Sequence, residues 1–271
     1  MQIDLDSTIR DLNINGITII PNFLDEKITE ELSKCFDKCF DLKQDFTMNV
    51  KGHPFNESGL QSEINIDKTN NTKLQILKNI FHSKALYDLS NEYFYPHKFT
   101  FNEYLVCTHL KHSSQQILPW HFDRIQSLKF WIYVENTNEE NGALEYVKGS
   151  HWEGRYRAAS HLFSGKSVFE IPNDISNDRI MNYSIISANR GDLVIFDPDG
   201  FHRGGKIQSN LERKVLRADT FPIPSRKYND RFLSQGWLLK SFFNISKHLH
   251  NAGFRMLGKK TADKSTNRNN N

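Results

Sequence analysis

"LKFWIYVENTNEENGALEYVKGSHW", residues 128–152, decides how the chain is read. Aromatic and β-branched residues in "LKFWIYVE" make a short strand, Asn141-Gly142 marks a turn, and "GALEYVKG" makes a second strand. Outward from there, similar runs recur at short intervals: "FTFNEYLVCTHL", "WHFD", "SVFEI", "SIISA", "GDLVIFD" and "KVLRADTF". Many short strands separated by turns indicate a sandwich or barrel rather than a parallel α/β sheet. About eight of them is the number of a jelly roll. Before this β core, expected over residues 99–222, "NINGITIIPNF" gives a short strand at 17–20. "LDEKITEELSKCFDKCFDL" and "TKLQILKNIFHSKALYDLSNEYF" then carry apolar residues at helical spacing, with a polar stretch (51–72) between them. After the core, "YNDRFLSQGWLLKSFFNISKHLHNAGFRML" returns to helical spacing. The reading is mainly β with flanking α: one domain over 1–257, then a basic, Asn-rich tail at 258–271 expected to be disordered.

The formal charge of +3 sits in that tail, where Lys259, Lys260, Lys264 and Arg268 stand against Asp263, 4 − 1 = +3. The body is therefore near neutral, which argues against a nucleic-acid surface, since such surfaces carry a basic stripe. Cys35, Cys39 and Cys107 cannot make a disulfide framework. No apolar h-region opens the sequence, and no apolar run approaches the roughly 20 residues of a membrane span. A cytoplasmic protein that binds neither membrane nor nucleic acid is the expectation.

"PWHFDR", residues 119–124, places His121 and Asp123 two apart, so in a strand both side chains point to one face. Among 11 histidines about one such His-x-acidic pair arises by chance, and His151/Glu153 is a second. What distinguishes the first pair is its company. "RGDLVIFDPDGFHRGG" (190–205) delivers His202 after a later apolar strand, the third ligand of a two-histidine, one-carboxylate site with open positions on Fe(II). Eleven residues on, Arg213 opens a further strand and offers a fork that fits a carboxylate. Arg217 competes for that role. His151 is read as structural.

These motifs together resemble the phytanoyl-CoA dioxygenase family of Fe(II)- and 2-oxoglutarate-dependent oxygenases. The matching pieces are "GITIIPNFLDEKITEEL", "WHFDR", "WIYVENTNEENGALEYVKGSHW", "GDLVIFD…FH" and "ERKVLRADTF", together covering roughly residues 12–222. The resemblance implies a double-stranded β-helix of the cupin-like kind, with His121, Asp123 and His202 as iron ligands. It implies Arg213 as partner of the 2-oxoglutarate C5 carboxylate, Trp131 against the cosubstrate and Tyr104 as a further polar contact. Dioxygen is the other cosubstrate. Where the family often has a serine two residues past the distal histidine, this chain has Gly204. Halogenating relatives lack the carboxylate ligand, so Asp123 implies hydroxylation or a related oxidation.

Fold and chemistry leave the substrate open. The segment "HWEGRYRAASHLFSGKSVFEIPNDISNDRI" is read as a lid over the site, as long insertions often are. Arg155, Arg157, His161 and Lys166 in it, with Arg124 beside the metal motif, point to a small substrate bearing a carboxylate, phosphate or CoA thioester. Two other readings stand beside this one: a metal-binding jelly roll without oxygenase activity, and an oxygenase acting on a protein side chain.

Overall fold

The structure, a computed structural model, describes residues 2–37, 39, 59–65, 75–112, 118–123, 126–163, 175 and 180–223. The expected strand "SVFEI", the C-terminal helical segment and the tail at 258–271 lie outside these residues. In chain order the elements are α1 (Leu5–Asn15), β1 (Ile17–Ile20), α2 (Glu26–Phe36), β2 (Gly59–Asn65), α3 (Gln75–Phe81) and α4 (Lys84–Phe94). There follow β3 (Lys98–Phe101), β4 (Tyr104–Lys111), β5 (Leu128–Tyr133), β6 (Leu144–Tyr146) and α5 (His151–Phe163). The last are β7 (Ser184–Ile186), β8 (Leu193–Phe196), β9 (His202–Gly204) and β10 (Glu212–Ile223).

Seven strands form a major antiparallel sheet in the order β1-β8-β5-β10-β4-β2, with β3 also paired to β10. Three form a minor sheet, β7-β6-β9. The pleat explains how one strand serves two layers. Leu128, Phe130 and Ile132 of β5, with Leu193 and Ile195 of β8 and Leu216 of β10, enter the core shared with the helices. Tyr133, Val194, Phe196 and Val215 point the other way and pack on Leu144, Tyr146 and Ile186 of the minor sheet. Burial on both faces is why β8 reads as an unbroken apolar run, and β5 as one interrupted only by Lys129, rather than as alternating ones. The result is a double-stranded β-helix with helices laid on the outer face of its major sheet.

Three expectations need correction. The polar stretch at 51–72 contains β2, which pairs with β4 from Gly59↔Leu110 to Asn65↔Tyr104. As the last strand of the sheet it needs only one ladder, so "GLQSEIN" carries none of the β-branched density that flags a central strand. The single long helix expected over 72–94 is two, broken where Ser83 takes an extended N-cap conformation. The start of the supposed lid is helix α5, docked against the body: His151 is fully buried, and the Trp152 indole donates to the Asn13 carbonyl at 2.9 Å.

The junction before β1 shows how tightly that docking is cut. Gly16 closes α1 with φ +75°, and a Cβ there would collide with the Tyr146 hydroxyl and the His151 ring. Only glycine satisfies both demands. No helix among the described residues is long and apolar enough to cross a membrane. All three cysteines are buried and none is in a disulfide.

Candidate metal centre

His121 precedes β5 and His202 begins β9, and the two are joined by a bridge of backbone hydrogen bonds. The His121 N–H donates to the His202 carbonyl at 3.1 Å, and the His202 N–H donates back at 2.9 Å. Asp123 hangs from the same region through its own N–H, which donates to the Pro198 carbonyl at 2.8 Å. Backbone pairing thus brings together residues 81 positions apart in sequence before any side chain is considered.

The side chains complete the arrangement. Each histidine turns Nδ1 toward a carbonyl two residues upstream: His121 to Pro119 at 2.8 Å, His202 to Gly200 at 2.7 Å. An Nδ1–H donating there fixes the tautomer that leaves Nε2 with a lone pair, the usual support of a metal-binding imidazole. Both Nε2 atoms face one carboxylate oxygen, Asp123 Oδ1, at 3.7 Å and 3.6 Å. One ligand atom from each residue lies within 4.8 Å of the others.

Electrostatics prepare these donors. Burial, reinforced by the neighbouring His121, pushes the His202 pKa down to about 3, so its ring is neutral at physiological pH. Burial also works to raise Asp123, but the Lys129 ammonium, with the two neighbouring histidines, outweighs it and holds the carboxyl well below the usual range. A neutral imidazole beside an ionised carboxylate is the protonation state a divalent cation requires. A pH dependence follows. His202 takes up a proton in the unfolded chain near 6.5 but in the fold only near 3, so the unfolded state binds more protons between these values. Stability of the metal-free protein is therefore lost as the pH falls from about 6.5 toward 3. Thermal melts across that range read the loss, and a His202→Gln variant is expected to flatten it.

Arg213, on β10, is buried to 6% exposure and donates through Nη1 to the Gly142 carbonyl. Its Nε has no hydrogen-bond partner, and no carboxylate among the described residues pairs with it. Burial accordingly pulls its pKa down. A desolvated guanidinium is costly unless an anion joins it. Gly204 is what lets it lie there: a Cβ at that position would stand 2.7 Å from Nη2 and 3.1 Å from Nη1 of Arg213. The space a serine would need is filled by the guanidinium.

A cavity partly open to solvent joins the two histidines to this arginine. Its walls include Thr108, Lys129, Trp131, Arg213 and Arg217. The Trp131 indole N–H is buried there without a partner. Tyr104 is not on the cavity wall; it lies at the start of β4, opposite Asn65 of β2 and four residues before Thr108. Sequence reasoning missed Lys129, a buried ammonium ion-paired with Asp123 Oδ2. Its only signal was a lysine inside an otherwise apolar strand.

The basic residues assigned to a lid are placed otherwise. Arg155 is spent on the protein itself: it ion-pairs with fully buried Asp197, approaches Asp199 at 3.8 Å and donates to the Tyr93 hydroxyl. Arg157 pairs with Glu153 at 2.8 Å and lies over the Phe201 ring. The rival ligand pair is thereby divided, since Glu153 serves Arg157 while His151 Nε2 sits 3.2 Å from the Asn13 carbonyl. Arg124 and Lys166 lie outside the described residues.

Fold and site define a jelly roll whose two-histidine, one-carboxylate cluster could hold a metal ion, as the centres of non-haem iron oxygenases do. The chain belongs to the phytanoyl-CoA dioxygenase family, whose model matches residues 12–215. No curated protein matches the sequence. Among solved structures, AviO1 from Streptomyces viridochromogenes Tue57 is similar at 16% identity, over 82% of this chain and 96% of that one, with a TM-score of 0.56. SnoN, described as a non-haem α-ketoglutarate-dependent epimerase from nogalamycin biosynthesis, is similar at 12% identity, over 80% and 83%, with a TM-score of 0.55. A second SnoN structure, in complex with Fe3+, α-ketoglutarate and nogalamycin RO, has a TM-score of 0.56 at 12% identity, over 80% of this chain and 83% of that one. At these identities the likeness is one of fold. Membership of the family brings Fe(II), 2-oxoglutarate and dioxygen as its cofactors.

Proposed function

We propose that this protein is an Fe(II)- and 2-oxoglutarate-dependent dioxygenase that hydroxylates a small-molecule metabolite. The observation that carries it is that one cavity joins the two histidines of the His121–Asp123–His202 cluster to a buried arginine that has no carboxylate partner among the described residues. A metal site alone fits many jelly rolls. A metal site facing a desolvated guanidinium calls for a ligand with an anionic end, and 2-oxoglutarate is such a ligand.

His121, Asp123 and His202 would hold Fe(II), which when bound supplies the activation of dioxygen coupled to decarboxylation of 2-oxoglutarate. The chain's own groups do the rest. Arg213 receives the C5 carboxylate, exchanging a lone contact with the Gly142 carbonyl for a charge-assisted one. Trp131 offers its unpartnered indole N–H and a ring wall between the metal end and Arg213. The Nδ1 contacts of the two histidines keep both rings aimed inward throughout.

The cavity is recessed between the two sheets and walled by residues of β4, β5, β9 and β10, which favours a metabolite over a protein side chain. With Arg155 and Arg157 engaged elsewhere, Arg217 is the wall cation that supports an anionic substrate. It is itself ion-paired with Asp219 through Nε at 3.6 Å, a contact too long for a hydrogen bond from that atom.

Anaerobic titration of the metal-free protein with Fe(II) and 2-oxoglutarate tests the centre: a metal-to-ligand charge-transfer band is expected, and its absence would refute the proposal. Arg213→Met is expected to weaken 2-oxoglutarate binding by roughly 10- to 100-fold, the worth of a hydrogen-bonded charge of about 1.5–3 kcal/mol, while leaving metal uptake unchanged. A metabolite screen for succinate release then finds the substrate. Turnover that forms succinate and leaves the substrate without a new hydroxyl would replace hydroxylation with a related oxidation.

A further inference from the structure

The two oxygens of Asp123 stand in different surroundings. Oδ1 is the atom both histidines face, at 3.7 Å and 3.6 Å. Oδ2 is turned to the Lys129 ammonium. Lys129 is 7% exposed and walled in by the sheet, with Phe196 of β8 opposite on one side and Asp219 of β10 on the other. Its Nζ lies 5.8 Å from the Phe196 ring centroid. An ammonium so confined has few rotamers left, and burying its charge is tolerable because a carboxylate meets it.

We infer that Lys129 is a positioning residue for the metal carboxylate. By holding Oδ2 it makes Asp123 present Oδ1 alone, so the carboxylate takes one coordination position and leaves the others to the cosubstrate. Carboxylates bind cations through one oxygen or two, and a second bound oxygen would use a position that a two-histidine, one-carboxylate centre keeps open. Groups that hold a ligating carboxylate in this way influence metal affinity almost as strongly as the ligands do. The inference rests on the metal reading above and adds to it a statement about one lysine.

Cobalt(II) in place of Fe(II) separates the two, because its visible ligand-field bands weaken as coordination number rises. The wild-type protein is expected to take up one Co(II), and His121→Ala to lose it. Lys129→Met is expected to bind Co(II) roughly 10- to 100-fold more weakly, with weakened bands that report an added oxygen ligand. Lys129→Arg, which keeps a donor for Oδ2, is expected to restore the wild-type spectrum. Circular dichroism checks folding, and if Lys129→Met does not fold, Lys129→Gln is judged by the same spectrum and affinity. A methionine or glutamine variant with wild-type bands and affinity overturns the role of Lys129 and leaves the metal centre standing, as does an arginine variant that behaves like the methionine one. A wild-type protein that takes up no Co(II) overturns the metal reading and this inference with it.

Discussion

His121→Ala, Asp123→Ala and His202→Gln proteins are expected to show no Fe(II)–2-oxoglutarate charge-transfer band and to release succinate only at background. Each substitution removes one of three donors converging on one point, and with two left the cation competes poorly with bulk water. The fold should survive best in the first. His121 has a side chain 19% exposed, whereas the His202 ring is buried against Phe196 and Tyr146, at centroid distances of 5.3 Å and 6.4 Å. His121→Ala is therefore the cleanest test, since its far-ultraviolet circular dichroism and melting point should stay near wild type while the band disappears. A band that persists in that variant would mean that the metal sits elsewhere.

Arg155→Ala is expected to be the most destabilising single change outside the hydrophobic core. It leaves Asp197 and Asp199, both fully buried, without their cation. Breaking a buried ion pair from one side costs about 3–5 kcal/mol, on the order of 10 °C in melting temperature. Arg157→Ala, two residues along the same helix, removes a part-exposed pair with Glu153 and a contact over the Phe201 ring and should cost about 1 kcal/mol. Melting curves of the two variants side by side check the contrast. Equal, small shifts would mean that Arg155 is not an anchor. The effect should also reach the metal, because Asp197 and Asp199 lie in the turn that leads into His202.

Much of the centre was legible in the sequence because its logic is periodic or local. The apolar runs at 128–133 and 193–196 mark strands buried on both faces. His121 and Asp123 stand just before the first run, His202 just after the second and Arg213 on the strand that follows, and the jelly roll gathers the three proposed ligands in one cluster and joins its two histidines to Arg213 in one cavity. What could not be read was contact across the fold. Arg155 looks like a free cation in a polar segment until Asp197, 42 residues later, is seen beneath it. Lys129 looks like a surface residue in a strand until the pleat turns it inward to Asp123. Tyr104 shares its strand with Thr108, yet the cavity stops short of it. Spacing along a chain reports which face a side chain takes, whereas partners and reach depend on neighbours that only the assembled sheets provide.

The reciprocal backbone bridge between His121 and His202 has a kinetic consequence. Both imidazoles ride on one pair of hydrogen bonds, so neither can swing away from the metal by a side-chain rotation that keeps its Nδ1 contact. Opening of the bridge, read as exchange of the two histidine amides with solvent, would move both imidazoles together, so a cation held between them would be expected to slow that exchange.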